Sequence, residues 1–217
     1  MVKKKKYIAK KLIVEGEQDK RFIPEFIEAK GIPWGETRDT AIVDIEVYGG
    51  NQFIDSDFIA TELKASGLTN LGLIVDADDD CKSRWESIRN ACLKPIADFP
   101  EKFPETGLIH DTNGIKFGVW IMPDNKQQGM LETFLAYMIT DENELIWKYA
   151  QEVVKEAKNR GAAFKNTHFD KANIYTWLAW QNEPGRQLHQ AIKERILNPN
   201  HPKANVFFNW FKDLYDL

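Results

Sequence analysis

The chain has 217 residues, the size of one ordinary domain with room for a helical appendage. A hydrophobic fraction of 43% supports a packed core, and 29% charged residues with a net charge of −4 exclude a globally basic nucleic-acid coat. A nucleic-acid enzyme stays open, because acidic catalytic groups offset basic contact surface. No apolar run approaches the ~18 residues of a membrane helix, and the apolar run in "MVKKKKYIAKKLIVEG" is too short for a signal peptide. Cys81 and Cys92 fit neither a zinc motif nor a disulfide framework, so a reducing cytoplasm is expected. Lys3 to Lys6 read as a solvated lead-in to the first strand, with a nucleic-acid contact as the alternative.

In chain order, "KLIVEG" predicts a buried strand closed by Glu15-Gly16. "EQDKRFIPEFIEAKG" follows as a helix, with Phe22, Ile23, Phe26 and Ile27 at helical spacing. "TAIVDIEVYGG" predicts a second strand ending at Gly49-Gly50, and "QFIDSDFIATELKASG" a second helix. "NLGLIVDAD" is apolar on both faces, as a central parallel strand is. "CKSRWESIRNACLKPIADF" is a third helix interrupted late by Pro95; "FPETGLIHDTNGIKFGVWIMPD" holds two strands about a turn at Asn113-Gly114; "GMLETFLAYMI" is a helix. Strand and helix alternate to about Ile139, which predicts an α/β fold with a mostly parallel sheet and helices on both faces. Residues 140–217 read as helices throughout, a C-terminal helical section packed on a 1–139 core. Its tryptophans, Trp147, Trp177, Trp180 and Trp210, read as core rather than as a ligand platform.

Ligands of parallel α/β sheets bind beyond the carboxyl ends of the strands. Glu15 ends the first strand, Asp76 the third, with Asp78 two residues on; Glu132 opens the helix after the last strand. So many carboxylates in one cleft repel one another unless a cation or a proton neutralises them. All-oxygen donors suit Mg²⁺, Mn²⁺ or Ca²⁺, and no His or Cys stands among them to suggest zinc. The plain alternative is helix capping, with Asp79 or Asp80 as N-cap of the third helix. An EF-hand is excluded because Cys81 and Ser87 stand where the loop needs Gly and Glu. A haloacid-dehalogenase-like phosphatase would need its Asp-x-Asp on the first strand, where this chain has Glu15.

"LIVEGEQDKRFI", "LIVDADDD" and "IMPDNKQQGMLETFL", in this order and strand context, resemble a TOPRIM domain over roughly residues 10 to 139. That family includes topoisomerase and primase catalytic domains, small ribosomal-RNA maturation nucleases and the overcoming-lysogenisation-defect nucleases. The whole chain, including "FDKANIYTWLAWQNEPGRQLHQAI", looks most like a group of stand-alone TOPRIM-like proteins of bacteria and archaea. The resemblance implies a divalent-metal-dependent phosphodiester hydrolase acting on DNA or RNA, with one or two Mg²⁺ or Mn²⁺ ions. Glu15 would act as metal ligand or general acid/base, and Asp76 and Asp78 as metal ligands. Asp19 and Glu132 resemble further acids of the overcoming-lysogenisation-defect enzymes. Lys171 resembles the lysine that some TOPRIM nucleases set beside the scissile phosphate; a solvated helix lysine is the plain reading. Arg186 and Gly50 are candidate phosphate contacts, against a salt bridge and a tight turn. No Gly-x-x-x-x-Gly-Lys-Ser/Thr loop is present, so an ATPase partner would be a separate chain. A non-enzymatic metal- and nucleotide-binding subunit and a small phosphate-ester hydrolase are the competing readings. The helical section is open to use as a lid, an oligomer interface or plain support.

Overall fold

The computed structural model describes residues 9–48 and 54–217; Lys3 to Lys6 and the Gly49-Gly50 pair lie outside them. The chain runs β1 (Lys10–Val14), α1 (Glu17–Ala29), β2 (Asp44–Val47), α2 (Ser56–Leu63), β3 (Asn70–Asp76) and α3 (Cys81–Cys92). It continues β4 (Leu108–Thr112), β5 (Ile115–Met122), α4 (Leu131–Ala136), α5 (Glu144–Asn159), α6 (Phe169–Leu178), α7 (Leu188–Lys193) and α8 (Pro202–Tyr215). The strands form one sheet in the order β2-β1-β3-β5-β4. All neighbours are parallel except β4 and β5, an antiparallel pair turned at Asn113-Gly114, both at positive φ. No helix among the described residues is long and apolar enough to cross a membrane.

Each buried strand supplies both layers of core, because successive side chains leave opposite faces. Leu12, Val14, Ile74 and Trp120 pack on one face with Phe22 and Phe26 of α1, Phe134 of α4 and Phe207 and Phe211 of α8. Ile13, Leu73, Val75, Val119 and Ile121 pack on the other with Ile59 of α2 and Trp85 and Ile88 of α3. Local signals set the helix starts: Asp55 accepts the Phe58 N–H (2.8 Å), and Asp80 accepts those of Lys82 and Ser83. Asp80 is therefore a capping residue of α3. Of the four C-terminal tryptophans, Trp177 and Trp210 are buried and Trp147 is half-buried. Trp180 departs from the expected core role: it is 40% exposed and stacks on Tyr149 at the surface.

Helix α8 covers the middle of the sheet through a pair of glycines. Gly72 of β3 and Gly118 of β5 are register partners. A Cβ at Gly118 would lie 2.6 Å from Leu214, and one at Gly72 would lie 2.8 Å from Leu12 and against the Tyr215 hydroxyl. Their missing side chains are the space that Leu214 and Tyr215 fill. The Tyr215 hydroxyl donates to the Lys11 carbonyl (2.8 Å). The last α8 carbonyls accept from Asn70, Lys116 and Lys10, partners that a helix C-terminus otherwise lacks. Gly72→Ala and Gly118→Ala are each expected to destabilise the fold by about 1–3 kcal/mol through overpacking. That lowers the melting temperature by roughly 3–10 °C in a chain of this size. A circular-dichroism melt checks this; unchanged midpoints would mean that α8 does not need the glycine pair.

Candidate metal centre

The strand order fixes where a site can form. From β1 the chain crosses to β2 on one side, then returns past β1 to β3 on the other. Helix α1 covers one face of the sheet and α2 the other. The connections thus part between β1 and β3, and a crevice opens beyond their carboxyl ends. Glu15 and Asp76 stand on its two sides. The Glu15 Oε2 accepts the Asp76 backbone N–H at 2.6 Å, which ties the two strand ends together. The Asp76 Oδ1 accepts the Leu131 N–H at 3.1 Å and so caps the start of α4. Asp19, in the first turn of α1, accepts the Gly16 N–H (3.1 Å) and is 6% exposed. Glu132, next along α4, is 4% exposed. Asp78 adopts a left-handed backbone (φ 53°) and exchanges two backbone hydrogen bonds with Gly129, at 3.0 and 2.8 Å. This bridge pins the loop after β3 to the loop before α4.

All of these acids interact. Burial, followed by the charges of Asp19, Glu15, Glu132 and Asp78, holds the Asp76 carboxyl well above the usual carboxylate range. Burial first, then Glu132 and Glu15, pushes Asp19 up to about 7. The structure thus brings together Glu15, Asp19, Asp76, Asp78 and Glu132, the positions read from strand ends and following helices.

Two cations face them. Arg84 of α3 contacts Asp78 and lies 3.7 Å from the Glu15 Oε1. Lys171 of α6 lies 3.3 Å from the Glu132 Oε1. Helix α6 also supplies Tyr175, one turn after Lys171; burial and then the Glu132 charge raise its hydroxyl pKa. Asp170 accepts from the Thr133 hydroxyl, which itself accepts the Met130 N–H. Beside Asp78 opens a cleft of about 230 Å³ lined by Asp79, Gln128, Gly129, Asn166 and Asp170 among others. Roomier hollows of about 510 Å³ beside Trp210 and about 430 Å³ beside Trp34 lie away from the acids, so volume alone does not mark the chemistry.

The donor set, all carboxylate oxygen and partly buried, fits a hard divalent cation. The arrangement is not a ready cage: among the described residues, no three His, Cys, Asp or Glu side chains are disposed to hold one ion. The oxygens turn instead to backbone N–H groups, Arg84 and Lys171. Seating a cation therefore requires side chains to turn and these counter-charges to yield. Cys81 and Cys92 are free and buried, and burial pushes their thiols up to about 11 and about 12, so neither offers a ready thiolate.

Two candidates fall elsewhere. Arg186 pairs with Glu194 (2.7 Å) and Glu183 (3.4 Å), so its charge is compensated away from the acids. Gly50 lies outside the described residues. Sequence reading missed Arg84, Asp170 and Tyr175. The available signal for Arg84 was a cation in the first turn of a helix, where the dipole disfavours positive charge, six residues after Asp78.

Fold and site define an α/β protein with an acid-lined crevice at the switch point of its sheet. The chain belongs to the family described as Protein of unknown function (DUF3226), whose model matches residues 9–216. No curated protein and no solved structure matches the chain.

A carboxyl whose pKa is raised on folding stabilises the native state at low pH. That contribution disappears as pH rises from the unfolded value of ~4 through the folded value, about 7 for Asp19. Above that range Asp19 is charged among like charges. In chelator at pH 8, Asp19→Asn is expected to raise the melting temperature by about 4–8 °C, equivalent to roughly 2 kcal/mol. At pH 4 the gain should vanish. Melts at the two pH values check this, and a loss of stability at pH 8 would contradict the repulsion.

Proposed function

We propose that this chain is a TOPRIM-type phosphodiester hydrolase that acts on nucleic acid with Mg²⁺ or Mn²⁺. The observation that carries the reading is the convergence of Glu15, Asp19, Asp76, Asp78 and Glu132 at the carboxyl edge of a mostly parallel sheet. Glu15, Asp76 and Asp78 would hold the cation, with Asp19 and Glu132 available to a second ion. When bound, the cation supplies Lewis-acid polarisation of water and of the phosphodiester. Lys171, beside Glu132 and 46% exposed, is positioned to meet phosphate charge as it develops. Exposed Lys165 and Lys171 are chain neighbours of the cleft-lining Asn166 and Asp170, and their charge favours a polyanionic substrate. The free cysteines agree with a cytoplasmic enzyme.

A second reading is a metal- and nucleotide-binding subunit without catalysis. Arg84 and Lys171 favour it, because they already neutralise part of the acidic cluster without a metal.

The test is cleavage of labelled single- and double-stranded DNA and RNA in Mg²⁺, Mn²⁺ and chelator. Metal-dependent cleavage is expected, with Glu15→Ala and Asp76→Ala each reducing it about 10²-fold or more, and Lys171→Ala by about 10²-fold. Folded wild-type protein that binds Mn²⁺ and oligonucleotide but cleaves nothing would favour the subunit reading.

A further inference from the structure

Arg84 is disfavoured by the dipole of its own helix. It sits in the first turn of α3, at the positive end of the dipole, where acids are the favourable choice. Its guanidinium reaches back over the crevice to Asp78 and toward Glu15, and its side chain keeps 27% exposure. Both partners have their backbones fixed from elsewhere: Asp78 by the bridge to Gly129, Glu15 at the end of β1. The acids are thus anchored, while the arginine hangs on a long side chain. Glu15 also divides its oxygens, Oε2 to the Asp76 N–H and Oε1 toward Arg84. The Oε1 edge and the Asp78 carboxylate are therefore the donors that Arg84 covers.

We infer that Arg84 is an exchangeable counter-ion: it occupies Glu15 and Asp78 until a divalent cation takes them, and the released guanidinium then binds a phosphate oxygen of the substrate. The inference rests on the metal reading proposed above and adds a residue and an order of events to it. A guanidinium suits the task because its planar fork matches carboxylate and phosphate oxygens alike, and it stays charged throughout. Cation and arginine compete for the same two carboxylates, so removing the arginine must strengthen metal binding. The same change removes a phosphate contact, so it must weaken substrate binding. A bridge that never opens would shift both affinities only through long-range charge, which added salt screens.

The experiment is Mn²⁺ titration, followed by calorimetry and by loss of the free-ion electron-paramagnetic-resonance signal, on wild type, Arg84→Gln and Arg84→Lys. A phosphorothioate-backbone single-stranded oligonucleotide is then titrated at saturating Mn²⁺ and followed by fluorescence anisotropy. Arg84→Gln is expected to bind Mn²⁺ about three- to tenfold more tightly, the range given by two partly exposed ion pairs. It should bind the oligonucleotide several-fold more weakly. Arg84→Lys keeps the charge and should stay near wild type for Mn²⁺. Melts in chelator identify misfolded variants; if Arg84→Gln is misfolded, Asp78→Asn, which frees Arg84 from one partner, replaces it and should still bind the oligonucleotide in chelator more tightly than wild type does. Mn²⁺ affinity unchanged or weakened in folded Arg84→Gln overturns the inference alone, as does Asp78→Asn binding no tighter. Wild-type protein that takes up no Mn²⁺ overturns the metal reading itself.

Discussion

Carboxylates that share a partly buried crevice repel one another, and the rest of the site is arranged around that repulsion. Asp76 stands at its centre, within reach of the charges of Asp19, Glu15, Glu132 and Asp78. Left to itself such a group would hold protons above the usual range, and the raised values of Asp76 and Asp19 express this. Two cations from separate helices, Arg84 of α3 and Lys171 of α6, relieve part of it. Both are partly exposed and therefore replaceable. A cluster built only for stability would have apolar residues here, since uncompensated buried charge costs more than packing returns. The arrangement makes physical sense as a place kept ready for positive charge.

The fold holds the acids where they repel. Glu15 and Asp76 are fixed by the parallel pairing of β1 and β3, and the Glu15 side chain is clamped on the Asp76 N–H. Asp78 is held by its bridge to Gly129. The C-terminal helices contribute at two levels. Helix α8 closes the core over the Gly72-Gly118 pair, which seats it close against the sheet. Helix α6 brings Asp170, Lys171 and Tyr175 to the start of α4 and its Glu132, so the site is completed by residues more than thirty positions beyond Glu132.

Much of this was legible in the sequence because its causes are local. The two-faced apolar run of β3, the Asn113-Gly114 turn and the helical spacing in α1 each declare their element. The acids Glu15, Asp19, Asp76, Asp78 and Glu132 were legible as neighbours because a parallel sheet gathers its strand ends on one edge. The illegible parts depend on pairings across the chain. Nothing local tells that Gly72 and Gly118 will lie in register beneath Leu214 and Tyr215. Nothing local tells that Arg84 turns back to Asp78 while Arg186 turns to Glu194. Trp180 looked like core by its type and spacing, yet it lies past the end of α6, where its ring meets Tyr149 at the surface.

Anomalous diffraction from crystals of this chain grown with Mn²⁺ tests whether the crevice between β1 and β3 takes a cation. The account predicts an anomalous peak beyond the carboxyl ends of β1 and β3, bounded by Glu15, Asp76 and Asp78, with the Arg84 guanidinium turned away from them. Saturating Mn²⁺ that leaves no peak there, with Arg84 still seated on Asp78 and Glu15, would contradict it.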